Sequence, residues 1–160
     1  MDVENAPPSI SVVLCTYNGG TFIEAQLQSI LNQTLTPTEI IVSDDGSTDS
    51  TLSRVEGIAH ASPKEIRWDI RTRAAPLGAA ENFGAALPLA TADFIALSDQ
   101  DDVWVPDKLE VMSQQLSENP SLVLVHSDAR LIDAAGVPGA SLMSTLRITR
   151  GERNNLARGF

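Results

Sequence analysis

The chain has 160 residues, 42% hydrophobic and 20% charged, a composition typical of one globular domain with a substantial core. Its formal net charge of −10 argues against general binding to nucleic acid or to an anionic membrane, because both depend on basic protein surface. Cys15 is the single cysteine, so no intrachain disulfide can form, and its apolar flanks predict a buried structural thiol. No apolar stretch is long enough to span a membrane, and we expect a cytoplasmic protein.

Strands and helices are predicted to alternate along the chain. Apolar or alternating runs predict strands at residues 10–15, 39–43, 66–70, 92–98 and 122–125, and helical periodicity predicts helices at 22–31, 52–59, 79–87 and 109–116. Short connections between such elements are typical of a mostly parallel, Rossmann-like sheet with helices on both faces, an α/β fold. Residues 1–8 form a polar lead-in, and residues 136–160 carry no convincing periodic pattern.

An acidic cluster follows the fourth predicted strand. Asp99, Asp101 and Asp102 place three carboxylates within four positions. Two like charges about 4 Å apart repel by roughly 4 kcal/mol at an effective dielectric near 20, so a bound cation would stabilise such a cluster. Carboxylate oxygens suit magnesium or manganese, often together with substrate phosphates. The cluster therefore predicts a metal-assisted site for a phosphate ligand, with a solvated acidic turn as the alternative.

Polar residues also follow the first two predicted strands. Thr16, Tyr17 and Asn18 come after the first, and Asp44 and Asp45 end the second. In open α/β sheets, ligands bind outside the carboxyl ends of the strands, so these groups are expected to meet the acidic cluster. The sequence lacks the G-x-x-x-x-G-K-[ST] loop of ATPases and the G-x-G-x-x-G turn of dehydrogenases. One cysteine and two separated histidines also argue against zinc.

Three segments, residues 9–18, 40–49 and 98–104, resemble in order and spacing the motifs of family 2 glycosyltransferases of GT-A fold. The resemblance extends over about residues 9–133, and the third segment is most similar to bacterial rhamnosyltransferase-type members that build cell-surface polysaccharides. It implies transfer, with inversion, of a sugar from a UDP-, dTDP- or GDP-linked donor to a glycan or lipid-linked acceptor, with Mn²⁺ or Mg²⁺ as cofactor. A lipid-linked acceptor would bring the protein to the inner face of the membrane without insertion, and nucleic acid is not an expected partner.

The resemblance also implies roles for individual residues. Tyr17 would stack on the base, Asp45 would bond the base edge, and Asp101 would contact the metal with Asp99 and Asp102 beside it. The residues expected to bind the nucleotide sugar are Thr16, Tyr17, Asn18, Asp44, Asp45, Gly78, Asn82 and Asp99.

The chain departs from the family pattern in two respects. The catalytic base is expected beyond Phe160, and Ala80 and Glu81 stand near Asn82, where members often carry a cation that contacts the diphosphate. We therefore expect a nucleotide-sugar-binding domain at residues 9–135, and a tail or the start of an acceptor-side region at 136–160, in a truncated enzyme. The alternatives are a catalytically silent nucleotide-sugar-binding module and a nucleotidyltransferase. The lack of Lys or Arg in the turn at residues 18–20 argues against the nucleotidyltransferase.

Overall fold

The computed structural model describes residues 7–133 and 136–145, and four parallel strands form its principal sheet. These strands are β1 (Ile10–Thr16), β2 (Glu39–Asp44), β3 (Arg67–Thr72) and β4 (Phe94–Asp99), and they lie in the order β3-β2-β1-β4. Every residue of β1 and β2 is buried, as expected of central strands with apolar side chains on both faces. The predicted parallel sheet is therefore confirmed.

Helices cover both faces of this sheet. The helices are α1 (Ile23–Leu31), α2 (Thr51–Ala61), α3 (Ala79–Ala86) and α4 (Lys108–Glu118), with a 3₁₀ turn at Leu87–Leu89. On one face, α1 and α2 pack side chains such as Leu27 and Val55 against Leu14 of β1. On the opposite face, α3 packs against Val13 and Ile41. Because helices cover both faces of the sheet, the ends of its strands are the place where polar residues can meet.

The predicted strand at residues 122–125 is wrong. That segment has no regular structure, and Val123 and Leu124 are 83% and 60% exposed. The next strands along the chain are instead β5 (Arg130–Ile132) and β6 (Pro138–Ser141), an antiparallel pair followed by α5 (Leu142–Thr145). A β-branched composition suits a strand, but a strand also requires a neighbour with free backbone groups, which composition does not encode.

The chain divides into two compact units, Met1–Val111 and Met112–Phe160. The first contains the parallel sheet, and the second contains β5, β6 and α5. The sequence predicts domain boundaries after residues 8 and 135, and these boundaries stay a prediction. Residues 1–6, 134–135 and 146–160 lie outside the described part of the chain. Across the described ranges, no helix has both the length and the apolar character needed to cross a membrane.

Candidate functional site

A cleft of about 330 Å³ lies in the first unit, at the carboxyl ends of β1, β2 and β4. This volume falls within the range of roughly 300–1,000 Å³ that is usual for small-molecule sites. Twelve residues line the cleft: Cys15, Thr16, Tyr17, Asp45, Pro76, Gly78, Ala79, Asn82, Phe83, Asp99, Gln100 and Asp101.

Most of the residues predicted to bind a ligand meet in this cleft. The predicted residues on its wall are Thr16, Tyr17, Asp45, Gly78, Asn82, Asp99 and Asp101. Asn18, Asp44 and Asp102 are not part of the lining. The lining residues that the sequence did not indicate are Cys15, Pro76, Ala79, Phe83 and Gln100. Cys15, Ala79, Phe83 and Gln100 each adjoin a predicted residue in the sequence, whereas Pro76 lies in the loop before α3 and is two residues from Gly78.

Asp44 is a structural centre behind the cleft. Its Oδ1 accepts hydrogen bonds from Ser47 Oγ and, at 2.8 Å, from Thr16 Oγ1. Its Oδ2 accepts from the backbone N–H groups of Gly46 and Ser47 at 3.2 and 2.9 Å, and from Thr72 Oγ1 at 3.0 Å. Through these bonds the carboxylate, which is fully buried, joins the carboxyl ends of β1, β2 and β3 and fixes the turn after β2.

Asp45 faces the cleft and anchors the loop that leads to α3. Its Oδ1 accepts from Leu77 N at 2.9 Å, and its Oδ2 accepts from Leu77 N at 3.0 Å and from Gly78 N at 2.8 Å. Gly78 has a φ of 94°, a conformation that favours glycine, and it immediately precedes α3. A carboxylate oxygen has two lone pairs, so Oδ1 can accept one further hydrogen bond.

Two asparagines predicted to contact the nucleotide make hydrogen bonds within the protein. Asn18 Oδ1 accepts from Thr48 N at 2.9 Å, which ties the loop after β1 to the loop after β2. Asn82 is buried and pairs with Ser43, accepting from Ser43 Oγ at 2.6 Å and donating from Nδ2 to Ser43 O at 2.8 Å. Their contact with a nucleotide stays a prediction.

The acidic turn at residues 99–102 has the electrostatic character expected of a cation site. Partial desolvation raises the pKa of Asp99 above its usual value, and the charges of Asp102 and Asp101 raise it further. Within residues 7–133 and 136–145, however, no three Asp, Glu, His or Cys side chains are close enough together to hold a metal ion. Magnesium is usually held by one or two carboxylates together with substrate phosphates, and Asp99 and Asp101 supply carboxylates of this kind on the cleft wall.

Cys15 and Arg73 complete the electrostatics of the cleft. Burial raises the pKa of the Cys15 thiol to about 12, with Asp99 and Asp45 adding to the shift, so the thiol is protonated at neutral pH. The predicted burial of this thiol is confirmed, since it is 7% exposed. Arg73 follows β3 and places its Nε 4.0 Å from Asp45 Oδ1. The sequence has no Lys or Arg near Asn82, where members of the family often carry one. Arg73, just after β3, instead brings a positive charge close to Asp45.

Comparison of the sequence with protein families and with known proteins identifies similar glycosyltransferases. The family described as "Glycosyl transferase family 2" matches residues 11–159. Chondroitin synthase from Escherichia coli is 33% identical over 129 residues, which cover 81% of this chain and 18% of that protein.

Two solved structures extend the likeness to the fold. The mannosyltransferase PcManGT from Pyrobaculum calidifontis, in complex with GDP-Man and Mn²⁺, has a TM-score of 0.67 and 29% identity, covering 73% of this chain and 34% of that one. TarS from S. aureus, in complex with UDP-GlcNAc, has a TM-score of 0.63 and 27% identity, covering 71% and 32%. The chain thus spans less than half the length of each of these three proteins. The expected GT-A fold is confirmed, and the chain belongs to glycosyltransferase family 2.

Proposed function

We propose that the cleft binds a nucleotide-diphosphate sugar together with Mn²⁺ or Mg²⁺, and that the protein transfers the sugar to a glycan or lipid-linked acceptor in cell-surface polysaccharide synthesis. The observation that carries the proposal is the meeting of Tyr17, Asp45, Asp99 and Asp101 on the wall of one cleft. These side chains come from three different strand ends: Tyr17 and Asp45 suit a nucleobase, and Asp99 and Asp101 suit a cation that accompanies the diphosphate.

The nucleoside would occupy the side of the cleft formed by Tyr17 and Asp45. Tyr17 is 50% exposed, so part of its ring is open for a base to stack on. Asp45 is buried and held in place by Leu77 and Gly78, and its Oδ1 retains a lone pair for an N–H group on the base edge. A stacking ring and a fixed acceptor are together suited to a nucleobase.

The diphosphate would lie between the acidic turn and α3. The N-terminus of α3, at Gly78 and Ala79, lines the cleft, and the partial positive charge of a helix N-terminus favours phosphate. Asp99 and Asp101 would repel the same phosphates unless a cation lay between them. The Mn²⁺ in the complex of the related mannosyltransferase supports this arrangement.

The proposed reaction breaks the bond between the anomeric carbon and the diphosphate. Negative charge then grows on the departing diphosphate, and a divalent cation, when bound, stabilises that charge. Asp99 and Asp101 would hold this cation, which would supply the positive charge that the departing diphosphate needs. We propose inversion on the basis of the family resemblance: a carboxylate would take the proton of the acceptor hydroxyl as that hydroxyl attacks, a contribution of roughly 10²–10⁴-fold.

Calorimetric titration of the chain with UDP, dTDP and GDP, each with and without Mn²⁺, tests the proposal. We expect one nucleotide to bind, and to bind more tightly with Mn²⁺, which would also identify the base of the donor. An Asp107→Asn variant is a matched control, because Asp107 is exposed and lies outside the cleft. If none of the nucleotides binds to a chain that unfolds in a cooperative thermal transition, the proposal is wrong.

A further inference from the structure

Three polar side chains of α1 and the turn after it face the segment that carries the acidic turn. Gln26, Ser29 and Gln33 are spaced by three and four residues, which places them on one side of the helix. Gln26 is 0% and Gln33 5% exposed, so both buried amides require hydrogen-bond partners. We call these three residues the amide row.

Gln26 contacts the residue that precedes the acidic turn, near the end of β4. Its Nε2 donates to Ser98 Oγ at 2.5 Å, and Ser98 Oγ in turn donates to the carbonyl oxygen of Asp99 at 3.2 Å. The Ser29 hydroxyl lies 2.8 Å from Gln26 O and 3.0 Å from Gln26 Oε1, and it shares its single proton between these two acceptors. The first residue of the acidic turn is thus connected to α1 through two side chains.

Ser29 and Gln33 contact the backbone that follows the acidic turn. Trp104 N donates to Ser29 Oγ at 3.0 Å. Gln33 Nε2 donates to Val105 O at 2.7 Å, and Gln33 Oε1 accepts from Leu109 N at 2.9 Å. The amide row therefore bonds to the side chain of Ser98 before residues 99–102 and to the backbone after them, although none of its members lines the cleft.

This arrangement does more than bury the segment. Trp104 and Leu109 already anchor it in the hydrophobic core, so burial of the segment does not by itself require amides at positions 26 and 33. Hydrogen bonds are directional, whereas apolar contacts are not, so the amides fix where the backbone of the turn runs. Ligand-binding side chains work only when supporting residues hold them within about 0.5 Å of the required geometry.

We propose that the amide row is a positioning device for the acidic turn: it orients Asp99 and Asp101 toward the cleft and thereby controls the metal-dependent part of nucleotide binding. The effect on binding rests on the proposed function, whereas the effect on the order of the turn does not. Gln26, Ser29 and Gln33 act through the turn and are positioning residues, with no contact to the ligand.

Gln33→Met tests the proposal, because methionine has a similar length but can neither donate to Val105 O nor accept from Leu109 N as an amide does. Gln28→Met is the matched control, since Gln28 is exposed on the same helix. Hydrogen exchange should become faster at residues 99–109 in Gln33→Met, with β1 and β2 as protected as in the parent. In calorimetry, the gain in affinity that Mn²⁺ confers should fall about tenfold, equivalent to 1.4 kcal/mol, while the affinity without Mn²⁺ stays within about twofold of the parent.

Other outcomes overturn the inference. Unchanged exchange at residues 99–109 in a folded Gln33→Met chain would show that the row does not hold the turn. Equal losses of affinity with and without Mn²⁺, or faster exchange throughout the sheet, would show a merely structural role. If Gln33→Met fails to fold, Ser29→Ala, which removes the acceptor of Trp104 N and the hydroxyl that bonds to Gln26, is judged by the same measurements. If the parent binds no nucleotide, the proposed function fails, and hydrogen exchange still decides whether the row orders the turn.

Discussion

Gln100 and Tyr17 are joined by two hydrogen bonds that run in opposite directions. Tyr17 N donates to Gln100 Oε1 at 2.8 Å, and Gln100 Nε2 donates to Tyr17 O at 3.0 Å. The pairing of β1 with β4 ends at Cys15 and Asp99, so the side-chain amide extends the contact between the two chain segments beyond the strands. A Cβ on Gly19 would lie 2.1 Å from Gln100 Oε1, so any larger residue there would displace the Gln100 side chain from this position. The loop that carries the proposed base-stacking ring is thus fastened to the turn that carries the proposed metal ligands.

Replacing Gln100 should therefore affect both halves of the site. We expect Gln100→Ala to weaken nucleotide binding about fivefold to 150-fold, with and without Mn²⁺, because two hydrogen bonds of about 0.5–1.5 kcal/mol each no longer fix Tyr17. Calorimetric titration measures both affinities, and Gln28→Ala, an exposed glutamine on α1, is the control. Affinities equal to those of the parent under both conditions would show that the fastening has no role in binding.

Asp101→Asn separates the metal from the nucleotide. The change keeps the size of the side chain but removes the charge that would attract a divalent cation, and Asp101 is exposed, so the fold should persist. We expect the affinity for nucleotide to become independent of Mn²⁺ and to be at least as high as that of the parent measured in EDTA, because one charge that repels the phosphates is gone. Asp107→Asn should retain the full response to Mn²⁺. Tight Mn²⁺-dependent binding by Asp101→Asn would remove Asp101 from the metal site.

Tyr17→Ala tests the other end of the cleft. Stacking of a base on an aromatic ring contributes about 1–3 kcal/mol, so the affinity should fall by roughly fivefold to 150-fold. The loss should be the same with and without Mn²⁺, because stacking does not involve the cation. Tyr17→Phe keeps the ring and should bind like the parent. If Tyr17→Ala binds as tightly as the parent, the ring does not contact the base.

The sequence predicted the strands that form the cleft, but it did not separate the polar residues that face the cleft from those that hold the fold together. Continuous apolar runs identified β1 and β2, and the acidic residues at strand ends indicated where a ligand would bind. The roles of Asp44 and Asp45, by contrast, cannot be separated in the sequence, because they are adjacent and chemically identical. Their partners Thr72 and Leu77 lie far along the chain, and only the folded sheet brings them into contact.

The amide row was not predicted for a similar reason. The spacing of Gln26, Ser29 and Gln33 is that of one helical face, and polar residues at that spacing are usually taken for a solvated surface. Their burial depends on where the segment after β4 returns to the sheet. That path is not encoded locally, since the bond from Gln33 to Val105 spans 72 residues.

Asp44→Ala tests whether this buried carboxylate is structural or binds the ligand directly, as the family resemblance implied. Removing it leaves Thr16, Thr72 and the backbone N–H groups of the turn after β2 without an acceptor. Because buried donors left unpaired cost about 1–3 kcal/mol each, we expect the free energy of unfolding to fall by about 3 kcal/mol or more. Urea denaturation should show this as a lower midpoint with an unchanged slope, and Glu65→Ala, at an exposed position in a turn, should shift the midpoint little. A chain that keeps its stability but loses nucleotide affinity would instead identify Asp44 as a direct ligand contact, since the hydrogen bonds it makes within the protein would then have proved dispensable.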